Sequence, residues 1–229
     1  GSYYLVFNNC RVVGPGSFLQ RDSKCRFANM PFSDRYYLNH AIYPENIEFT
    51  NLSGQECTFD ADDFINVANM ANVAYKNGVT ELDLKGHTAT TVDATEYTSV
   101  KNGTINSLIM GKSTEAGQYT LKNVYVGNTL AFNGQSLSIV NSNVRLSSFA
   151  NLNSLFVSDN STVRNGWTLN RGTVRCTDSN WQMNISGEVP IAFEDSTVAG
   201  TINSNNVAIY NSRVASSAQI GITPLTIAS

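Results

Sequence analysis

The sequence predicts an all-β fold, a right-handed parallel β-helix (β-solenoid) of about ten short coils with one α-helix near residues 60–76. Three observations lead there. An apolar-x-apolar-x-Asn/Asp-x-x-apolar pattern recurs along the 229 residues, the polar surface is built almost without charge, and one segment alone has helical periodicity.

The pattern reads Tyr119-x-Leu121-x-Asn123-x-x-Val126, then Leu137-x-Ile139-x-Asn141-x-x-Val144 and Val174-x-Cys176-x-Asp178-x-x-Trp181. It continues through Ile191-x-Phe193-x-Asp195-x-x-Val198 and Val207-x-Ile209-x-Asn211-x-x-Val214, with Leu155-x-Val157-x-Asp159 carrying one inserted residue before Val163. Ser142, Ser179, Ser196 and Ser212 each follow the corner Asn or Asp. Earlier copies are Leu5-x-Phe7-x-Asn9, Cys25-x-Phe27-x-Asn29, Ile47-x-Phe49-x-Asn51, Leu82-x-Leu84 and Val100-x-Asn102. From Asn123 onward the corners fall 18, 18, 19, 17 and 16 residues apart.

Alternating apolar residues make a short strand with one buried face. Asn or Asp then turns the corner, because its side chain bonds its own main chain and tolerates a left-handed backbone. A single coil cannot bury its apolar face, whereas stacked coils can, about 4.8 Å apart. Asparagines at equivalent corners would then form an amide ladder. Leucine-rich repeats are the rival solenoid, but these steps fall below their period of about 20–29 residues.

The helical exception runs from Asp60 to Gly78. It opens on acidic residues, ends at Asn77-Gly78, and sets Phe64, Val67, Ala68, Ala71 and Ala74 or Tyr75 on one face. The organisation expected is N-terminal coils with an irregular aromatic loop over 1–59, a packing or capping helix over 60–78, and the β-helix body with its end segment over 79–229.

With 28 Asn, 24 Ser and 20 Thr against 14% charged residues, uncharged polar groups cover most of the surface. A net charge of −3 without a basic run disfavours nucleic acid as a partner, and short apolar runs disfavour membrane insertion. Cys10, Cys25, Cys57 and Cys176 are too scattered for a disulfide scaffold, and with only His40 and His87 beside them no metal or cofactor site is expected.

The Ala-rich segment and Asn-Gly turn, followed by Val79-Thr-Glu-Leu-Asp-Leu84-Lys-Gly86, resemble the opening of phage tailspike and pectate-lyase-like β-helices. The corner repeats from residue 119 resemble the body of such proteins. The resemblance implies a homotrimer on a virion tail or extracellular surface, with bacterial surface polysaccharide as partner. Apparent coils before the helix depart from that pattern.

Asp178 and Asp195 share a corner on successive coils, so their carboxylates would stand about 5 Å apart, as in a retaining glycosidase pair. Neighbouring Glu194 could serve instead. The structural alternative makes both aspartates substitutes for Asn in the ladder. Trp167 follows Asn165-Gly166 in a loop and could stack on sugar, with Tyr210, Arg171, Arg175 and Arg213 adding polar contacts. Trp181 replaces Val in the repeat and is expected in the core. His40, in the aromatic stretch Phe32–Tyr43, has no identified partner.

The function expected is therefore surface-glycan recognition or structural support in a phage tail fibre or tailspike, without enzymatic activity or with little. The alternatives are a polysaccharide hydrolase or lyase on the same fold, and a bacterial β-helix adhesin or spacer.

Overall fold

Leu82, Val100, Leu121, Ile139, Val157, Cys176, Phe193 and Ile209 stand in one register column, each paired to the next through parallel strands. All eight are buried. This column is the spine of a parallel β-solenoid of about eight turns, seen in a computed structural model of the chain. The structure describes residues 4–11, 24–30, 47–50, 58–63, 74–76, 225–228, and 81–221 apart from 115, 205 and 217.

Strands of the first face begin at residues 81, 99, 118, 136, 154, 173, 191, 207 and 225, one turn every 16 to 19 residues. The second face stacks Val144, Val163, Trp181 and Val198 inward, and a third face stacks Leu169, Ile185, Ile202 and Ile220. The expected interior residues Phe27, Leu121, Ile139, Cys176, Phe193 and Ile209 are buried, and Phe7 packs on Phe27 with ring centroids 5.1 Å apart. Trp181 is fully buried, donates from its indole to the Met183 carbonyl at 2.6 Å and meets the Phe193 ring edge-on. Each such side chain contributes on the order of 1.5–3 kcal/mol through burial.

At the corner between the first and second faces the backbone is left-handed. The residues there include Asn102, Asn123, Asn141, Asp178, Asp195 and Asn211, with φ between 42° and 58°. The inserted residue gives two consecutive left-handed residues, Asp159 and Asn160. L-residues other than Asn and Asp rarely adopt this conformation, which accounts for the corner composition.

Behind the corner lies a second series of side chains. The amides of Val124, Ser142, Ser161, Ser179 and Ser196 donate to the hydroxyls of Ser142, Ser161, Ser179, Ser196 and Ser212 respectively, at 3.0 to 3.2 Å. Several of these hydroxyls donate in turn to carbonyls of their own turn, as Ser161 does to Ser158 at 2.6 Å. The serines thus satisfy buried amides where the strand ladder is interrupted. Gly103 holds the equivalent place in its turn because a Cβ there would lie 2.4 Å from that of Leu84.

The ends of the helix expected near 60–76 are not helical: Thr58–Asp60 is a strand, Ala61–Asp63 one 3₁₀ turn and Ala74–Lys76 another strand, while residues 64–73 lie outside the described ones. At those ends parallel pairing of Phe59 with Leu82 and of Tyr75 with Phe49 takes the backbone into strands. The 35-residue gap between Ile47 and Leu82 is therefore bridged partly by strands. The first copies form a sheet of their own, Tyr4–Asn8, Lys24–Ala28, Ile47–Thr50 and Ala74–Lys76, separate from the column of Leu82. Leu5, on the outermost strand of that sheet, is consequently exposed.

Candidate functional site

The corner asparagines do more than turn the chain. Asn102 donates from its amide to Asp83 at 3.0 Å, Asn123 to Asn102 at 3.0 Å, and Asn141 to Asn123 at 2.7 Å. Every donation points to the preceding turn. A primary amide has two N–H groups and a carbonyl with two lone pairs. Each ladder member therefore retains one donor and one acceptor for something outside.

A shallow groove of about 570 Å³ follows this ladder across several turns. Its walls are Asn102, Asn123 and Asn141 on the corner, and Thr104, Tyr125 and Asn143 on the second face. The wall residues follow from the fold, since the residue two after each corner points outward on the second face. Tyr125 is 45% exposed there, with the Arg164 guanidinium 5.0 Å from its ring centroid. The groove offers one donor and one acceptor at a pitch of about 4.8 Å per turn, with a single aromatic surface at Tyr125. Such chemistry suits a hydroxyl-rich, uncharged ligand.

Asp178 and Asp195 occupy adjacent left-handed corners, and both are exposed. Asn211 donates to Asp195, so that aspartate takes the acceptor's place in the ladder. Neither carboxylate borders the groove along the asparagines. Glu194 pairs with Arg175 at 3.3 Å, and Tyr210 is its register partner on the next turn. Arg175, Glu194 and Tyr210 thus lie together on the outer first face, while Arg213 stands on the second face opposite Thr197. Arg171 is spent on the Ala150 carbonyl. Trp167, 57% exposed, projects from the bend between second and third faces into a recess of about 430 Å³, beside Asn165, Asn170 and Ser186. The candidate ligand residues therefore occupy several places on the solenoid. His40 and the aromatic stretch 32–43 lie outside the described residues.

Charge is confined to local clusters. Lys85 bonds Asp60 at 3.0 Å and Asp62 at 3.1 Å, and His87 contacts Asp62 at 3.1 Å. The Lys85 ammonium and the His87 ring hold the Asp62 carboxyl below its usual range, and the two aspartates hold Lys85 above its own. Burial pushes the Cys25 and Cys176 thiols up to about 11.

Tyr125, Asn143 and Arg164 escaped the sequence reading. The available signal was the outward position two residues after each corner, where Thr104, Tyr125, Asn143 and Thr162 recur.

Fold and corner geometry define a class, the parallel β-solenoid. Comparison with known protein families, curated proteins and solved structures found no match to this chain.

Proposed function

We propose that this chain recognises a bacterial surface polysaccharide without cleaving it, as part of a phage tail fibre, tailspike or comparable extracellular assembly. The observation that carries the reading is the groove along the amide ladder. Asn102, Asn123 and Asn141 repeat the same free amide groups turn after turn, and Tyr125 supplies an apolar platform among them. A polysaccharide is the matching repetitive ligand, because an extended pyranose chain repeats at a similar pitch. Exposed Trp167 in its amide-lined recess offers a second stacking surface. Asp178 and Asp195 are exposed and lie away from the groove, and Asp195 already accepts the Asn211 amide as a ladder member, which favours binding over hydrolysis. A homotrimer is part of the same proposal, on resemblance.

A panel of purified bacterial surface polysaccharides, assayed by calorimetry alongside reducing-end release, tests the reading. Binding that falls at least tenfold in Tyr125→Ala, with no new reducing ends, is the expected result. Failure of every polysaccharide to bind would overturn it, and reducing ends lost in Asp178→Asn or Asp195→Asn would replace it with catalysis.

A further inference from the structure

Tyr125, Asn143 and Thr162 follow one another in a single outward column of the second face, on three successive turns. Asn143 should present its carbonyl to solvent, yet its Oδ1 is buried and has no hydrogen-bond partner within the protein. What covers it follows from the register. Arg164 stands beside Arg145, one turn beyond Asn143 and two beyond Tyr125. Its guanidinium nevertheless reaches the Tyr125 ring, 5.0 Å from the centroid, and donates to the carbonyls of Val126 and Gly127. The Arg164 stem must therefore cross the turn that carries Asn143. Its own Nε is likewise buried and without an acceptor.

We propose that Tyr125 and Asn143 form a subsite for a neutral, hydroxyl-bearing sugar ring, partly covered in this structure by Arg164, which buries the Asn143 carbonyl and lies against the Tyr125 ring. The inference rests on the glycan reading of the groove and adds a specific subsite and its cover. One buried acceptor and one buried donor are left unpaired by the same side chain, and a hydroxyl is the group that can satisfy both. It donates to Asn143 Oδ1 and accepts from Arg164 Nε–H once the arginine shifts. A carboxylate cannot donate to Asn143, and a cation is opposed by Arg164 and Arg145. No carboxylate pairs with either arginine among the described residues, so no ion pair anchors the cover. The ring of the sugar would lie on Tyr125, in the groove that this tyrosine already lines.

Two measurements test the subsite, each with thermal melting as a control for folding. The first needs no ligand: tetranitromethane nitration of Tyr125, followed by peptide mass mapping, should rise several-fold in Arg164→Ala. Unchanged nitration overturns the cover. The second titrates methyl α-D-glucopyranoside against the labelled protein by NMR, with acetate as the charged comparison. Shifts at the Asn143 side-chain amide and the Tyr125 ring are expected with the glycoside alone. They should appear at several-fold lower concentration in Arg164→Ala and vanish in Tyr125→Ala. Glycoside shifts elsewhere, or weaker binding in Arg164→Ala with melting unchanged, overturn the subsite. Raised nitration without binding of any polysaccharide would keep the cover and defeat the glycan reading. Polysaccharide binding with unchanged nitration would do the reverse.

Discussion

Asp178 and Asp195 hold the same left-handed corner on adjacent turns, with φ of 45° and 50°, and the Asp178 amide donates to the Glu194 carbonyl at 3.0 Å. Asn102, Asn123, Asn141 and Asn211 donate at this corner to the preceding turn, and here two acceptors follow one another. Asp195→Asn restores a donor facing Asp178 and removes a like-charge repulsion. It should stabilise by about 0.3–1 kcal/mol, read as a higher Tm. A lower Tm would mean that the Asn211 amide's bond to a charged carboxylate outweighs that repulsion.

Ser161 tests the buried serine series. Its hydroxyl accepts from the Ser142 amide at 3.0 Å and donates to Ser158 at 2.6 Å. Ser161→Ala leaves the Ser142 amide buried and unpaired, a loss of roughly 1–3 kcal/mol in denaturant unfolding. A change within a few tenths of that unit would show the serines to be bystanders.

Asn141 separates backbone from side chain at the corner. Its φ is 43°, which glycine adopts freely and alanine does not. Asn141→Ala should cost about 1–2 kcal/mol more than the same position filled by glycine. Equal melting of the two variants would assign the role to the amide ladder alone.

The buried thiols give a pH signature. Burial raises the Cys176 thiol from its ordinary 9.0 to about 11, so the folded state keeps its proton longer. Its contribution is complete below pH 9 and is lost as pH rises through about 11. Stability should therefore fall with rising pH in that window, and the fall should shrink in Cys176→Ala. In native buffer near pH 8, the thiolate fraction of Cys176 should be about a hundredfold below that of a thiol at the ordinary value, and labelling correspondingly slow.

Particular residues show how much of this was legible in the sequence. The column from Leu121 to Ile209 was readable because strand alternation and a fixed corner leave few choices for what faces inward. Asn141 and Asp195 at left-handed corners were readable for the same reason, since few side chains tolerate that backbone. The ends of the 60–76 segment were not. Its alanines and acidic start satisfy a helix locally, and only the pairing of Thr58–Asp60 with Glu81–Asp83 and of Ala74–Lys76 with Ile47–Thr50 reveals the strands there. The groove was harder still. Outward positions carry no periodic constraint, and Arg164 reaches Tyr125 across two turns, a relationship invisible until the register is known.

The serine series has a direction. Each hydroxyl belongs to the turn after the amide it receives, so Ser142 completes Val124, Ser161 completes Ser142, and Ser179 completes Ser161. Each turn supplies the hydroxyl that its predecessor's corner amide needs, and takes its own from the turn that follows. Loss of a turn from the C-terminal side would therefore open the corner amide of the turn before it, whereas loss from the N-terminal side would leave the remaining corner amides paired.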